Sequence, residues 1–221
     1  MPYYKNIIFQ EFLNKRIENI ILFQDSLNTI IILILSFITA KISFRIYSNN
    51  LFFLNSRKER NFIEIFWTFT PSFIILIISF PSLISLYLNE ERKINLIELQ
   101  ISGNQWYWTY KRKNFRKINS YIYPSYINRN IRTDYSIILP TKNFIKLIIS
   151  SNDVIHSWTI PSLITKNDAI PGRLNISRIS SIKRIKRKGQ CSEICGINHS
   201  FIPISILFLK FSSINLKEII F

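Results

Sequence analysis

Two apolar runs constrain this 221-residue chain more than any other feature. Phe66 to Leu88 carries no charge, although Pro71 and Pro81 interrupt it, and Leu27 to Ile46 is charged only near its end, at Lys41 and Arg45. About 20 such residues cross a bilayer as a helix, and a cation near a helix end reaches the headgroups along its own aliphatic stem. The chain therefore reads as a membrane α-helical hairpin with helices over about 27–47 and 62–88, preceded by a segment 1–26 and followed by a domain 89–221. Residues 1–26 show neither the pattern of a secretory signal nor that of a transit peptide, and are expected to be retained. Between the helices, Arg57, Lys58 and Arg60 sit beside Glu59. The positive-inside bias puts that loop on the inner side and both termini outside, although Lys5, Lys15 and Arg16 weaken the asymmetry.

From Asn89 onward short runs alternate with turn signals: Leu96 to Ile101, Gln105 to Tyr110, Tyr135 to Leu139, Phe144 to Ser150, Val154 to Ile160 and Ile204 to Phe211. That spacing predicts an all-β sandwich or barrel. Within Gln105 to Tyr110, Trp106 and Trp108 alternate with Tyr107 and Thr109, so the pattern puts both tryptophans on one face, where an aromatic core cluster is the plain reading.

Both cysteines and one of the two histidines fall within Cys191 to Ile204. Thiols four positions apart, with His199 four further on, suit copper, zinc or iron-sulfur iron. A small disulfide, a pair of inert core thiols or a closed zinc site are the alternatives from spacing alone. The other histidine, His156, lies in Asp-Val-Ile-His-Ser-Trp, and if the fold brings it in, the site holds two Cys and two His.

A net charge of +16 would ordinarily suggest nucleic acid or an anionic surface. The basic residues are scattered or gathered in two short runs, Lys111 to Lys117 and Lys183 to Lys188, without a nucleic-acid motif, so we read the runs as solvated loops and expect no nucleic-acid partner. No glycine-rich phosphate loop follows a strand, and no hydroxyl has a His and an acid to activate it, so hydrolase chemistry has no support.

The string Gly189-Gln190-Cys191-Ser192-Glu193-Ile194-Cys195-Gly196, with Asn198-His199-Ser200-Phe201, resembles the binuclear copper loop of subunit II of the haem-copper cytochrome c oxidases in its mitochondrially encoded form. Asp153-Val154-Ile155-His156-Ser157-Trp158, Asp168-Ala169-Ile170-Pro171-Gly172-Arg173-Leu174-Asn175 and Gln105-Trp106-Tyr107-Trp108 are similar to that family in order and spacing. The resemblance implies a cupredoxin-like Greek-key domain and a copper A centre of two coppers, bridged by Cys191 and Cys195, with His156 and His199 as terminal ligands and the backbone carbonyl of Glu193 as another. It implies that the Glu193 carboxylate binds magnesium shared with subunit 1, with Lys166, Asp168 and Arg173 near that interface; Asp168 could instead cap the turn before Pro171. It implies further that Trp106 is where electrons enter from cytochrome c, and that Glu64, in Glu-x-x-Trp-Thr, opens a proton path into subunit 1. A carboxylate lifted to the membrane surface by its own side chain is the plain alternative for Glu64. Subunits 1 and 3 are the implied partners and the mitochondrial inner membrane the implied location, with the C-terminal domain in the intermembrane space. The excess of Ile, Asn, Lys, Phe and Tyr fits an A/T-rich organelle genome.

Three departures from the family stand out. Ile202 occupies the position of a weak methionine sulfur ligand: either the copper has lost that ligand, which should alter its potential, or Ile202 is not the residue made in the cell; with one Met in the chain, and Ile17 and Ile197 also where Met would fit, the expectation is AUA codons read under another code. Asn104 stands where the family has His, and Lys111-Arg112-Lys113 where it has an acidic run, which opposes steering of a basic cytochrome c; Asp134, Asp153 and Glu193 are the acids expected on that side. A metal-free structural subunit of a quinol-oxidase-like complex and a membrane-tethered copper carrier are the rival readings. The first would lack the four ligands, and the second would need neither Trp106 nor Glu64.

Overall fold

In a computed structural model, residues 13, 15–48, 57–90, 97–113, 115–123 and 132–210 are described. The expectations for residues 1–12, for the loop 49–56 and for the ends of the first and last predicted strands at Leu96 and Phe211 lie outside them. Two long helices form, α1 over Lys15–Ser48 and α2 over Arg57–Glu90. Each extends beyond its apolar run, and the apolar windows of both bury none of their residues within the chain, as a helix solvated by lipid should. In the bilayer every backbone and hydroxyl group needs an internal partner. On α2 the Thr68 hydroxyl donates to the Glu64 carbonyl at 2.7 Å, Thr70 to Phe66 at 2.7 Å and Ser72 to Thr68 at 3.2 Å, so polar side chains are satisfied one turn back.

The remaining described chain builds ten strands: β1 Ile97–Asn104, β2 Tyr107–Arg112, β3 Ile118–Ser120, β4 Ile137–Pro140, β5 Ile145–Ser151, β6 His156–Ile160, β7 Thr165–Ala169, β8 Asn175–Ile179, β9 Ile185–Cys191 and β10 Pro203–Leu209. They pair in two five-stranded sheets, in the orders β3-β2-β1-β5-β8 and β4-β10-β9-β6-β7. Most neighbours are antiparallel, but β1 runs parallel to β5 and β10 parallel to β4. The sandwich core follows from period-2 alternation: Leu99, Ile101, Ile145, Leu147 and Ile149 on the first sheet, and Trp158, Ile160, Ile204, Ile206 and Phe208 on the second, are all at most 2% exposed. Leu13 and Ile17 are equally buried, and the Leu13 carbonyl accepts the Ile182 N–H at 2.9 Å, a contact no sequence pattern announced.

Six strands were expected and ten form. The second basic run is a solvated loop only at Lys183 and Arg184; from Ile185 it is strand β9, central in its sheet, with Lys186 and Lys188 exposed and Ile185, Gly189 and Cys191 turned inward. Lysines alternating on a solvated face hide strand character, because the apolar half of the pattern is carried by so few residues. Strands β7 and β8, Thr-Lys-Asn-Asp-Ala and Asn-Ile-Ser-Arg-Ile, escaped for the same reason. Asp168 lies within β7 opposite Ser157, and its carbonyl accepts from the Asn175 amide at 2.6 Å.

Candidate metal centre

The sandwich sets three segments at one end. Strand β1 ends at Asn104, paired with Tyr107, so Gln105 and Trp106 form the two-residue turn of the β1–β2 hairpin. Trp106 is therefore in a turn and not on a strand face with Trp108, which corrects the shared-face expectation. Trp108 is wholly buried, its ring edge-on to His156 at 5.8 Å between centroids. Trp106 is half-buried, and its indole N–H donates to the Cys195 carbonyl at 3.3 Å. The Gln105 amide reaches the same carbonyl at 3.0 Å.

Cys191 closes β9, where its Cα pairs with Trp158 of β6, and its N–H bonds the Ile202 carbonyl at 3.1 Å, closing the loop that carries the second thiol. Gly196 follows Cys195 at φ +118°, in the region that L side chains seldom adopt, and a Cβ there would lie 3.3–3.4 Å from Gln105 and Trp106. His156 opens β6 and is fully buried. Gly103 makes room for it, since a Cβ on that residue would stand 2.7 Å from the imidazole Cδ2.

His156 Nδ1 lies 4.0 Å from Cys191 Sγ, the two sulfurs lie 4.0 Å apart, and His199 Nδ1 lies 3.4 Å from Cys195 Sγ. The ligand atoms of His156, Cys191 and Cys195 are within 4.8 Å of one another, while His199 approaches from the Cys195 side outside that trio. Both cysteines are free thiols, with sulfurs at about twice the ~2.05 Å of a disulfide bond. Asp153 Oδ1 meets His156 Nε2 at 2.8 Å. A carboxylate there holds the proton on Nε2 and leaves the Nδ1 lone pair facing the thiols, the outer partner that metal-ligating imidazoles use. The second Asp153 oxygen accepts the Gln105 N–H at 2.6 Å, so one acid ties the hairpin turn to the histidine.

The electrostatics suit a ligand set for a cation. Burial pushes the Cys191 thiol up, but hydrogen bonding to His156 and to the backbone of Glu193 and Ser157 outweighs it, and Cys191 ends below the ordinary thiol value. Burial, reinforced by the neighbouring Cys191 charge, pushes Cys195 up to about 12. Burial opposes charge on His156, yet the Cys191 and Asp153 contacts prevail and raise it. Two thiolates side by side repel one another, and a bound cation relieves that repulsion. The buried sulfur and nitrogen donors thus fit a soft or borderline metal.

Other expected site residues fall as follows. The Glu193 carbonyl lies 3.4 Å from Cys191 Sγ, which places it with the thiols. Lys166, Asp168 and Arg173 are exposed, and so is Glu64 on α2. Ile202 is 1% exposed in the core beneath the loop. Asn104 is buried and satisfied, donating to the Ser102 carbonyl at 3.2 Å and accepting from the Asn152 amide at 2.8 Å, so it acts as a brace between β1 and the Asp153 loop. Sequence reasoning missed Gly103, and it missed the roles of Asp153 and Gln105 as partners of His156 and Cys195, although both stand inside the quoted motifs. The first basic run is carried away from Trp106: β2 is a strand, so Lys113 lies roughly 20 Å from the turn at ~3.3 Å per residue. Asp134, by contrast, accepts the N–H of Tyr121, whose ring stacks on Tyr107 beside that turn at 4.5 Å.

A two-helix membrane anchor with a cupredoxin-like sandwich and a buried Cys/His cluster defines a membrane-anchored β-sandwich protein whose donors could hold a metal ion. The chain is matched over residues 97–208 by the periplasmic domain of cytochrome c oxidase subunit II, and over residues 2–84 by the transmembrane domain of that subunit. It is 42% identical to cytochrome c oxidase subunit 2 of Apis florea across 90% of both chains, and 40% identical to that of Choristoneura rosaceana across all of this chain and 97% of the other. The crystal structure of the periplasmic domain of subunit II from Bradyrhizobium japonicum aligns with a TM-score of 0.52 and 31% identity, covering 54% of this chain and 88% of that one. The chain belongs to the cytochrome c oxidase subunit II family. It is one subunit of a larger membrane-bound oxidase.

Proposed function

We propose that this subunit takes electrons from reduced cytochrome c at the surface over Trp106 and delivers them, by way of a binuclear copper A centre, to the haem and copper sites of subunit 1. Oxygen reduction to water and the proton translocation coupled to it belong to the assembled complex. The observation that carries the reading is the arrangement of two sulfurs 4.0 Å apart, each approached by an imidazole Nδ1, at 4.0 Å and 3.4 Å. Copper A, when bound, supplies a one-electron carrier whose ligand geometry hardly changes with oxidation state.

Cys191 and Cys195 would offer the bridging thiolates, His156 and His199 one nitrogen each, and Glu193 its carbonyl. Asp153 fixes the His156 tautomer and position, so that little reorganisation is left for the transfer itself. Trp106 presents an aromatic ring toward the surface and is joined by one hydrogen bond to the carbonyl of the ligand residue Cys195, a short coupling path. Asp134, Asp153 and Glu193 are the acids on this side, and the 111–117 run is held away from it, which favours approach of a basic protein. At position 202 the chain as written offers the metal no sulfur. The Glu193 carboxylate, with Asp168 and Arg173 nearby in the family pattern, would hold magnesium at the subunit 1 interface, where a hard cation takes oxygen ligands. Glu64 would open the proton path.

The insect relatives and the organelle-like composition support the mitochondrial inner membrane, with the sandwich in the intermembrane space and contacts to subunits 1 and 3. Electron transfer from cytochrome c to the purified complex tests the reading. Rapid reduction of the chain's copper ahead of the haems is expected, and haem reduction that bypasses it would overturn the proposal.

A further inference from the structure

Asn104 does more than end strand β1. Its side chain is buried and its amide can face only one way: Nδ2 donates to the Ser102 carbonyl at 3.2 Å and to the Thr109 hydroxyl at 3.4 Å. A carbonyl oxygen only accepts, so Oδ1 must turn from Ser102 toward the next loop. There it accepts the Asn152 side-chain amide at 2.8 Å. Two other bonds tie that loop to β1, from the Asn152 N–H to the Gly103 carbonyl at 3.1 Å and from the Ser151 hydroxyl to the same carbonyl at 3.4 Å. The amide pair is the shortest of the three.

What hangs on this loop is Asp153. Its side chain is 31% exposed, so water competes for its oxygens, yet the fully buried His156 relies on it. Oδ1 meets His156 Nε2 at 2.8 Å and accepts the Val154 N–H at 2.6 Å, while Oδ2 accepts the Gln105 N–H at 2.6 Å. Hydrogen bonds weaken steeply as they tilt and lengthen, so these are only as well made as the backbone beneath them is fixed. Asn104 immediately precedes Gln105, and Asn152 immediately precedes Asp153. The amide pair therefore steadies donor and acceptor of the Gln105–Asp153 bond from both sides. Both members are uncharged, so the brace orients the carboxylate without neutralising it.

We propose that Asn104 and Asn152 are positioning residues for His156: their amide pair holds Asp153 where its carboxylate keeps the proton on Nε2 and the Nδ1 lone pair toward Cys191. As a contribution to electron transfer this rests on the copper reading above; as a statement about the imidazole it applies to the metal-free chain. Asn104, which stands where the family has His, is in this sense a working part of the centre and not a lost one.

The full chain, metal-free in detergent at one fixed pH and carrying nitrogen-labelled histidine, is followed by nuclear magnetic resonance. Ring nitrogen shifts report the tautomer, and solvent exchange of the Nε2 proton reports how often the Asp153 bond opens. Wild type should hold the His156 proton on Nε2, and Asp153→Asn should release it to a mixture of tautomers. Asn152→Ala, at an exposed position, should keep the fold and speed exchange about fivefold, the factor implied by losing one net hydrogen bond. Asn104→Ala should do the same, and the double variant should add nothing, because both act through one bond. Wild-type exchange in Asn152→Ala, or a lowered melting temperature in Asn104→Ala with His156 unmoved, would make the pair a structural brace only and overturn the proposal. So would additive effects in the double variant. Copper counted on the loaded chain is a separate readout: its absence would refute the metal reading, while the exchange measurement decides this proposal either way.

Discussion

Gly103→Ala tests whether the fold, and not the ligands alone, fixes the metal centre. The added methyl would stand 2.7 Å from His156 Cδ2, 2.9 Å from Cγ and 3.1 Å from Cβ, where ordinary contact begins at 3.4 Å. The imidazole must retreat by at least 0.7 Å, but it is fully buried, packed edge-on to Trp108 and tied to Asp153 at 2.8 Å. Overpacking of this kind costs about 1–3 kcal/mol, which in a domain of this size lowers the melting temperature by roughly 4–12 °C. The displacement also moves Nδ1 relative to Cys191, so copper should be bound more weakly and its spectrum altered. The assay is thermal melting of the purified chain in detergent by tryptophan fluorescence, with copper titration on the same samples. Gly172→Ala is the control: its φ is +75° with nothing within 4 Å of the new Cβ, so it should cost about 1 kcal/mol through the backbone and leave the copper spectrum alone. If Gly103→Ala matched wild type in both measurements, the argument that β1 shapes the histidine's seat would be refuted.

Trp106→Phe should slow electron transfer from cytochrome c with the copper spectrum and melting temperature kept, because it removes one hydrogen bond at a half-buried position; Trp108→Ala should cost about 3–5 kcal/mol, and equal effects of the two in transient kinetics and melting would return both to the core. In the metal-free chain His156 is raised above 6.5, so its stabilising protonation is full below that pH and lost as pH rises through the folded value; Asp153 is lowered below 3.8, so its contribution is present above 3.8 and lost as pH falls through its folded value. Melting against pH should therefore decline on both flanks, whereas copper loading, which needs Nδ1 free and both thiols ionised, should tighten with rising pH. A flat melting profile, or loading that weakens with pH, would contradict this. Peptide mass spectrometry across Gly189 to Lys210 should find about 18 Da more than isoleucine at position 202 if that residue is methionine in the cell; an isoleucine mass ends the recoding idea and leaves the centre with a shifted potential.

The helices were legible because lipid demands a long uncharged run, and nothing in tertiary packing overrides that demand. The thiol loop was legible because Cys and His donors are rare and their spacing is short. What the sequence hid has a common physical origin, in that it depends on contacts made across the sandwich. Strand β9 carries Lys186 and Lys188 on its open side, so its apolar signal fell below that of a strand until Gly189 and Cys191 found their places inside. Trp106 follows the alternation of a strand, yet the Asn104–Tyr107 pairing turns the chain at that point. Asp153 is three residues from His156 in sequence, but only the fold also ties it to Gln105, 48 positions earlier. Leu13 packs under a loop 169 residues away and carries no pattern that could have said so.

Copper counting with electron paramagnetic resonance on the natively purified complex bears most directly on the centre proposed at Cys191, Cys195, His156 and His199. Two coppers per chain at this site sharing one unpaired electron should give a seven-line hyperfine pattern, lost in Cys191→Ser and in Cys195→Ser. A four-line mononuclear signal from these ligands, or stoichiometric zinc in their place, would contradict the account.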